Sequence, residues 1–164
     1  DPQGGYVPLS AQDPALWDAA GIAEAETVLH RAAAARRIGR FQLEAAVQSA
    51  HAARRRTGWT DWTAIVALYD GLLALTGSAV VAVNRAVALA ETAGAAAALA
   101  VLDGLADEPA VAAYQPYWAA RAELLMRLGK GDAAAIAYAQ ALALESDPAA
   151  RRFLAARRAA LARG

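Results

Sequence analysis

Apolar residues recur at helical spacing in stretches of about 10–20 residues, each closed by Gly, Pro, Thr or an Asp-Pro pair. The breaks fall near Gly39, Thr57 to Thr60, Gly77, Gly94, Pro109, Gly129 to Gly131 and Asp147-Pro148. About three residues in ten are Ala, the best helix former, while the β-branched and aromatic residues that favour strands are sparse. A large sheet is thereby ruled out. The pattern predicts an all-α chain of about eight helices, over 13–37, 40–56, 61–76, 79–93, 95–106, 112–129, 132–145 and 148–163.

Start and stop signals agree. Asp13-Pro14 and Asp147-Pro148 each place an N-cap acid before a Pro suited to a first helical turn, and Asp61 and Ser78 are further N-caps. Gly77, Gly94 and Gly129 stand where a left-handed C-terminal residue is wanted. Every connection is short, so successive helices should pack antiparallel as hairpins.

The chain also repeats. Trp118, Ala122, Leu125, Gly129, Ala134, Tyr138, Ala141, Leu142 and Leu144 are spaced closely as in the tetratricopeptide unit of 34 residues. Trp118, Leu125 and Tyr138 are the large knobs, and Ala122, Ala134 and Ala141 let paired helices approach. A weaker copy runs through Ala86, Leu89, Gly94, Ala98 and Leu102. Tyr69 to Tyr138, Leu73 to Leu142 and Leu75 to Leu144 are each 69 residues apart, two such units. The expected architecture is a tetratricopeptide-like right-handed superhelix of antiparallel hairpins in one domain, 1–164. Residues 1–39 supply an N-terminal segment and helix, 40–146 the helix pairs, and 147–164 a capping helix.

Composition narrows the function. The chain has no Cys, which excludes disulfides, zinc-thiolate sites and cysteine nucleophiles, and its two His cannot make a His-rich metal site alone. No run of about 18 apolar residues lacks charge, so no membrane span is expected. The first ten residues lack the cationic start and apolar core of a signal peptide. With no initiator Met, the chain reads as a piece of a longer protein. Sixteen basic and sixteen acidic residues cancel, which argues against a dedicated nucleic-acid binder. The charge is zoned: −5 over 1–30, +6 over 31–57, −6 over 61–147 and +5 over 148–164. Such bands are ordinarily solvated helix faces.

No phosphate loop, HExxH, nucleophile elbow or EF-hand loop is present, so no enzymatic activity and no cofactor are expected. Asp61 and the other scattered acids read as helix caps. His51 reads as a partner within a helix interface, with a general base as the sharper alternative. Trp62 reads as a staple into the core, and Trp59 as a possible exposed anchor. Asn84-Arg85 interrupts an apolar helix, where polar atoms need partners. One reading is a buried hydrogen bond plus a salt bridge to Asp61, Asp70 or Glu123. The other has both residues line a concave groove and hold a partner's backbone, with Arg121 doing the same in the next repeat. The runs Arg54-Arg55-Arg56 and Arg151-Arg152…Arg157-Arg158 resemble phosphate-contacting patches but lack interleaved aromatics.

Several segments together resemble one family. They are Val7-Pro8-Leu9-x2-Gln12-Asp13-x3-Trp17-Asp18, Phe41-Gln42-Leu43-x-Ala45-Ala46-Val47-x3-His51, Thr60-Asp61-Trp62-x2-Ile65-x2-Leu68-Tyr69-Asp70, Asn84-Arg85-Ala86-Val87-Ala88 and Arg151-Arg152-Phe153-Leu154-x3-Arg158. Their order is similar to the tetratricopeptide-like C-terminal extension of a subgroup of bacterial extracytoplasmic-function RNA polymerase sigma factors. Gly39-Arg40-Phe41 stands where that family has Gly-Pro-Tyr, and Thr76-Gly77-Ser78-Ala79 lacks its prolines. The resemblance implies a cytoplasmic regulatory domain that modulates promoter-specific transcription initiation. Its partners would be proteins: the sigma core, RNA polymerase or a regulator. DNA contacts would belong to modules upstream of Asp1. Candidate partner-binding residues are Gln42, His51, Asp61, Trp62, Tyr69, Asn84, Arg85 and Arg121. The rival readings are a stand-alone tetratricopeptide adaptor and a small-molecule sensor whose pocket is lined by His51, Gln42 and Tyr69.

Overall fold

Among residues 4–161, which the computed structural model describes, regular structure is entirely helical. Two 3-10 turns, Leu9–Ala11 and Pro14–Leu16, precede α1 (Ala19–Ala34), α2 (Arg40–Ala52), α3 (Arg54–Thr57), α4 (Trp62–Thr76) and α5 (Ala79–Thr92). Then follow α6 (Ala95–Asp103), α7 (Pro109–Ala112), α8 (Gln115–Arg127), α9 (Gly131–Leu144) and α10 (Pro148–Leu161). Each of the eight expected helices has its counterpart. Residues 162 and 163 of the expected capping helix lie outside the described residues.

Three boundaries differ, each for a local reason. The first helix begins at Ala19 rather than 13, because Asp13 caps only a single 3-10 turn through Ala15 N. Trp17 then runs extended, and Asp18 accepts from Ala20 N and Gly21 N to start α1 afresh. The second helix is interrupted at Ala53, after which Arg54–Thr57 forms one further turn ending at left-handed Gly58. The stretch after α6 winds through α7 before Pro116 restarts the helix in α8.

Caps fix most of the remaining ends. Asp61 accepts from Ala64 N at 2.9 Å and Asp147 from Ala150 N at 2.7 Å. Ser78 makes no side-chain cap; its own N–H donates to Thr76 Oγ1 instead. Gly129, at φ 69°, closes α8: its N–H donates to Met126 O while Lys130 N–H donates to Leu125 O, satisfying two carbonyls that α8 leaves open. Gly94, expected as a left-handed terminus, has φ 87° and ψ 165° and precedes α6, a conformation essentially restricted to glycine.

Consecutive helices pack as hairpins, and the strongest pairing is α8 against α9. The main core lies in the later half, from Val83 to Leu154. Nine of the 22 buried apolar residues described are Ala, so helix axes approach closely with few large knobs between them. Leu125 and Tyr138 are buried as the repeat demands. Trp118 is not: its indole N–H donates to Ala112 O at 2.9 Å, which holds the ring at the core's edge. Tyr117 takes the knob position, with its ring edge-on to Trp118 and its hydroxyl donating to Leu102 O at 3.2 Å. The 69-residue period survives in space, since Leu75 and Leu144 both face outward.

Hairpin junctions carry arginine contacts. Arg85 of α5 pairs with Asp70 of α4 at 2.5 Å, and Arg121 of α8 with Asp103 of α6. At the next junction Arg157 of α10 reaches Glu123 Oε2 at 2.6 Å, and Tyr138 hydroxyl donates to the same oxygen at 3.2 Å. Burial pushes the Tyr138 hydroxyl up from its ordinary pKa, and the hydrogen bond to Glu123 holds the Arg157 guanidinium more firmly charged.

Candidate functional site

The eight candidate residues do not converge on one site. Tyr69 and Asn84 do meet, in a cavity of about 390 Å³ between α2, α4 and α5, with Glu44, Gln48 and Ser78 also on its wall. Asn84 is half-buried, and among the described residues neither its amide nor that of Gln48 makes a hydrogen bond. Burial raises the Tyr69 hydroxyl above its usual pKa, with nearby Tyr114 adding to the shift. This polar cavity can donate and accept toward a bound group, and its wall carries the Arg40–Glu44 ion pair at 2.8 Å.

The other candidates have structural partners. His51, in the last turn of α2, stands edge-on to Trp62 with ring centroids 5.5 Å apart. Burial lowers its pKa, and the Arg54 charge lowers it further. Asp61 is the α4 cap already described. Arg85 and Arg121 are tied to Asp70 and Asp103, so the salt-bridge reading of Arg85 holds and names its partner. Gln42 lies across α2 from the polar cavity, in a groove between α1 and α2. His51, Gln42 and Tyr69 therefore do not line one pocket. Trp59 is 60% exposed and available as an anchor.

The α1–α2 groove, about 710 Å³, is apolar along Val28, Leu29 and Ala45 and edged by Arg37 and Arg40. α1 buries no residue fully, and Phe41, at the groove's mouth, is 80% exposed.

The basic runs serve a purpose that their sequence does not reveal. Arg54 donates to the carbonyls of Leu9, Ser10 and Gln12, and Arg55 to those of Ala15 and Trp17. The Arg54 guanidinium also lies 5.2 Å from the centre of the Trp17 ring. At the far end of the helix order, Arg152 donates to Gly4 O and Phe153 packs on Tyr6 at 5.1 Å. Arg151 donates to Leu142 O and Glu145 O, closing the end of α9. Residues 4–17 thus form a strap from α10 to α3. Tyr6 and Leu9 are three residues apart, at most about 11 Å, so the strap bridges α10 and α3 over a short stretch of chain. A groove of about 910 Å³ runs beside this strap and is walled by Tyr6, Leu16, Trp17 and the start of α10. The alternation of Arg-rich turn and aromatic-bearing segment was the available signal, but three consecutive arginines look the same in sequence whether they meet carbonyls, phosphates or water.

The fold and its surfaces define an all-α protein of stacked helix hairpins, with residues 4–17 strapped across α3 and α10. No helix among the described residues is long and apolar enough to cross a membrane. No family model matches the chain, and no solved structure matches it. It is 37% identical over 147 residues to an uncharacterized protein of Rhizobium meliloti (strain 1021). The match takes in 90% of this chain and 34% of that protein, so the chain spans about a third of its relative's length.

Proposed function

We propose that this chain is the regulatory, protein-binding module of a bacterial sigma factor of the extracytoplasmic-function type, acting on transcription initiation through the sigma core or RNA polymerase. The observation that carries the reading is the ordered set of motifs from Val7 to Arg158. Those motifs fall on the strap, on α2, α4 and α5, and on α10, so the resemblance spans the folded unit rather than one helix. The greater length of the Rhizobium relative accords with a module joined to other parts. The reading assigns the module no catalytic step.

Reading the gene 5′ to the codon for Asp1 tests it. A frame continuing into a helix-turn-helix-bearing sigma core is expected, and run-off transcription by the full factor should change when residues 1–164 are removed. A start codon immediately before Asp1 refutes the reading and leaves a stand-alone adaptor. A second reading, a small-molecule sensor, is favoured by the polar cavity at Tyr69 and Asn84. A ligand-induced rise in melting temperature that Asn84→Ala abolishes would support it.

A further inference from the structure

The strap is held chiefly through its main chain. Of its contacts with α3 and α10, those made by Arg54, Arg55 and Arg152 all go to backbone carbonyls. Six main-chain oxygens between Gly4 and Trp17 accept from these three side chains. Side-chain contact is confined to two aromatic rings, Tyr6 on Phe153 and Trp17 under Arg54. The strap's conformation is set from within: Gln12 donates to Val7 O at 3.1 Å, and Trp17 Nε1 donates to Gln12 Oε1 at 3.2 Å. Guanidinium groups aimed at carbonyls bind main chain whatever its side chains, here at the two 3-10 turns and the residues just after them, and charge-assisted bonds of this kind exceed neutral ones in strength.

We infer that Arg54, Arg55, Arg152 and Phe153 form a binding seat for a polypeptide segment wound in short turns, and that residues 4–17 are the occupant this chain supplies for itself. The segment it fits is one with free carbonyls along its length and two aromatic rings spaced as Tyr6 and Trp17 are. A partner's segment reaches the seat only by displacing the strap, so the strap restrains binding at that seat. Tethered beside its seat, the strap competes at an effective concentration on the order of millimolar. The inference rests on the module being protein-binding, and not on its belonging to a sigma factor.

A labelled synthetic peptide with the sequence of residues 4–18 serves as the probe, added to the whole chain and followed by fluorescence anisotropy. The variant Gln12→Ala/Trp17→Ala loosens the chain's own strap and leaves the seat intact. It should bind the peptide at least tenfold more tightly than the unaltered protein does, and adding Arg54→Ala/Arg55→Ala should remove that binding. Circular dichroism establishes that each variant keeps its helices. In the unaltered protein, hydrogen exchange at the Arg54-anchored strap should be slow, and Arg54→Ala/Arg55→Ala should speed it without changing α8 or α9. Equal peptide binding by the unaltered and loosened proteins overturns the inference. So does absence of binding to the loosened protein, or binding indifferent to Arg54 and Arg55. Because no transcription is measured, the peptide result stands or falls separately from the sigma-factor reading.

Discussion

Tyr117 offers the sharpest measure of how the hairpins hold one another. Its ring is 2% exposed, and its hydroxyl donates to Leu102 O, so a single residue joins α8 to α6 by packing and by one hydrogen bond. Tyr117→Phe removes only the bond. The Leu102 carbonyl keeps the Leu105 N–H at 3.1 Å, so it is not orphaned, and the cost should be about 1 kcal/mol. For a chain of this size that is about 2–4 °C in Tm. Tyr117→Ala empties a buried aromatic site with little room to collapse and should cost about 3–5 kcal/mol. Urea unfolding followed at 222 nm gives both values, with the slope against urea unchanged if the denatured states match. If Tyr117→Phe costs as much as Tyr117→Ala, the ring is not what couples the two hairpins. If it costs nothing, the hydroxyl is not seated on Leu102.

Other perturbations separate the remaining contributions. Arg85→Ala and Arg121→Ala remove ion pairs whose acids are more than half exposed, so each should cost less than about 1 kcal/mol, and less again in high salt, by the same urea assay. Gly129→Ala meets open space at Cβ but keeps a left-handed backbone, and should lower stability by about 1 kcal/mol from strain alone. Asp18→Ala frees two N–H groups at the start of α1 and should cost about 1 kcal/mol, read as local exchange in residues 19–24. His51 is held below its ordinary pKa, so the unfolded chain binds its proton first. Its contribution to stability is whole above pH about 6.5 and declines as pH falls below that value. His51→Gln should flatten the fall in urea midpoint between pH 7 and pH 5.

Helix positions were legible because their punctuation is chemical: Asp61, Asp147, Gly77 and Gly129 act through their own side chain or backbone, with no need of a distant partner. Legibility failed where distant contacts decide. Asp13-Pro14 is a sound helix start, but Trp17 is drawn out of helical conformation toward Arg54, 37 residues away. Trp118 and Tyr117 are adjacent, and only the Ala112 carbonyl settles which of them goes inward. Among the candidate site residues, Asp61 and Arg85 found the structural partners anticipated for them, whereas Gln42 and Tyr69 parted because Gln42 faces α1 from α2 while Tyr69, on α4, lines the cavity on the other side of α2. Arg54 and Arg55 escaped notice as binding residues for the same reason as Trp17: their acceptors are carbonyls, which every sequence supplies and none advertises.

The strap has a consequence for how the chain comes off the ribosome. Its first residues are made earliest, yet the Gly4 carbonyl accepts from Arg152, 148 residues later. At about 5–20 residues per second, that donor emerges roughly 7–30 s after Gly4. Arg54 and Arg55 arrive well before it. The nascent chain therefore passes through a period in which the belt is fastened at one buckle only, and Tyr6, not yet seated on Phe153, is open to whatever protein stands at the exit.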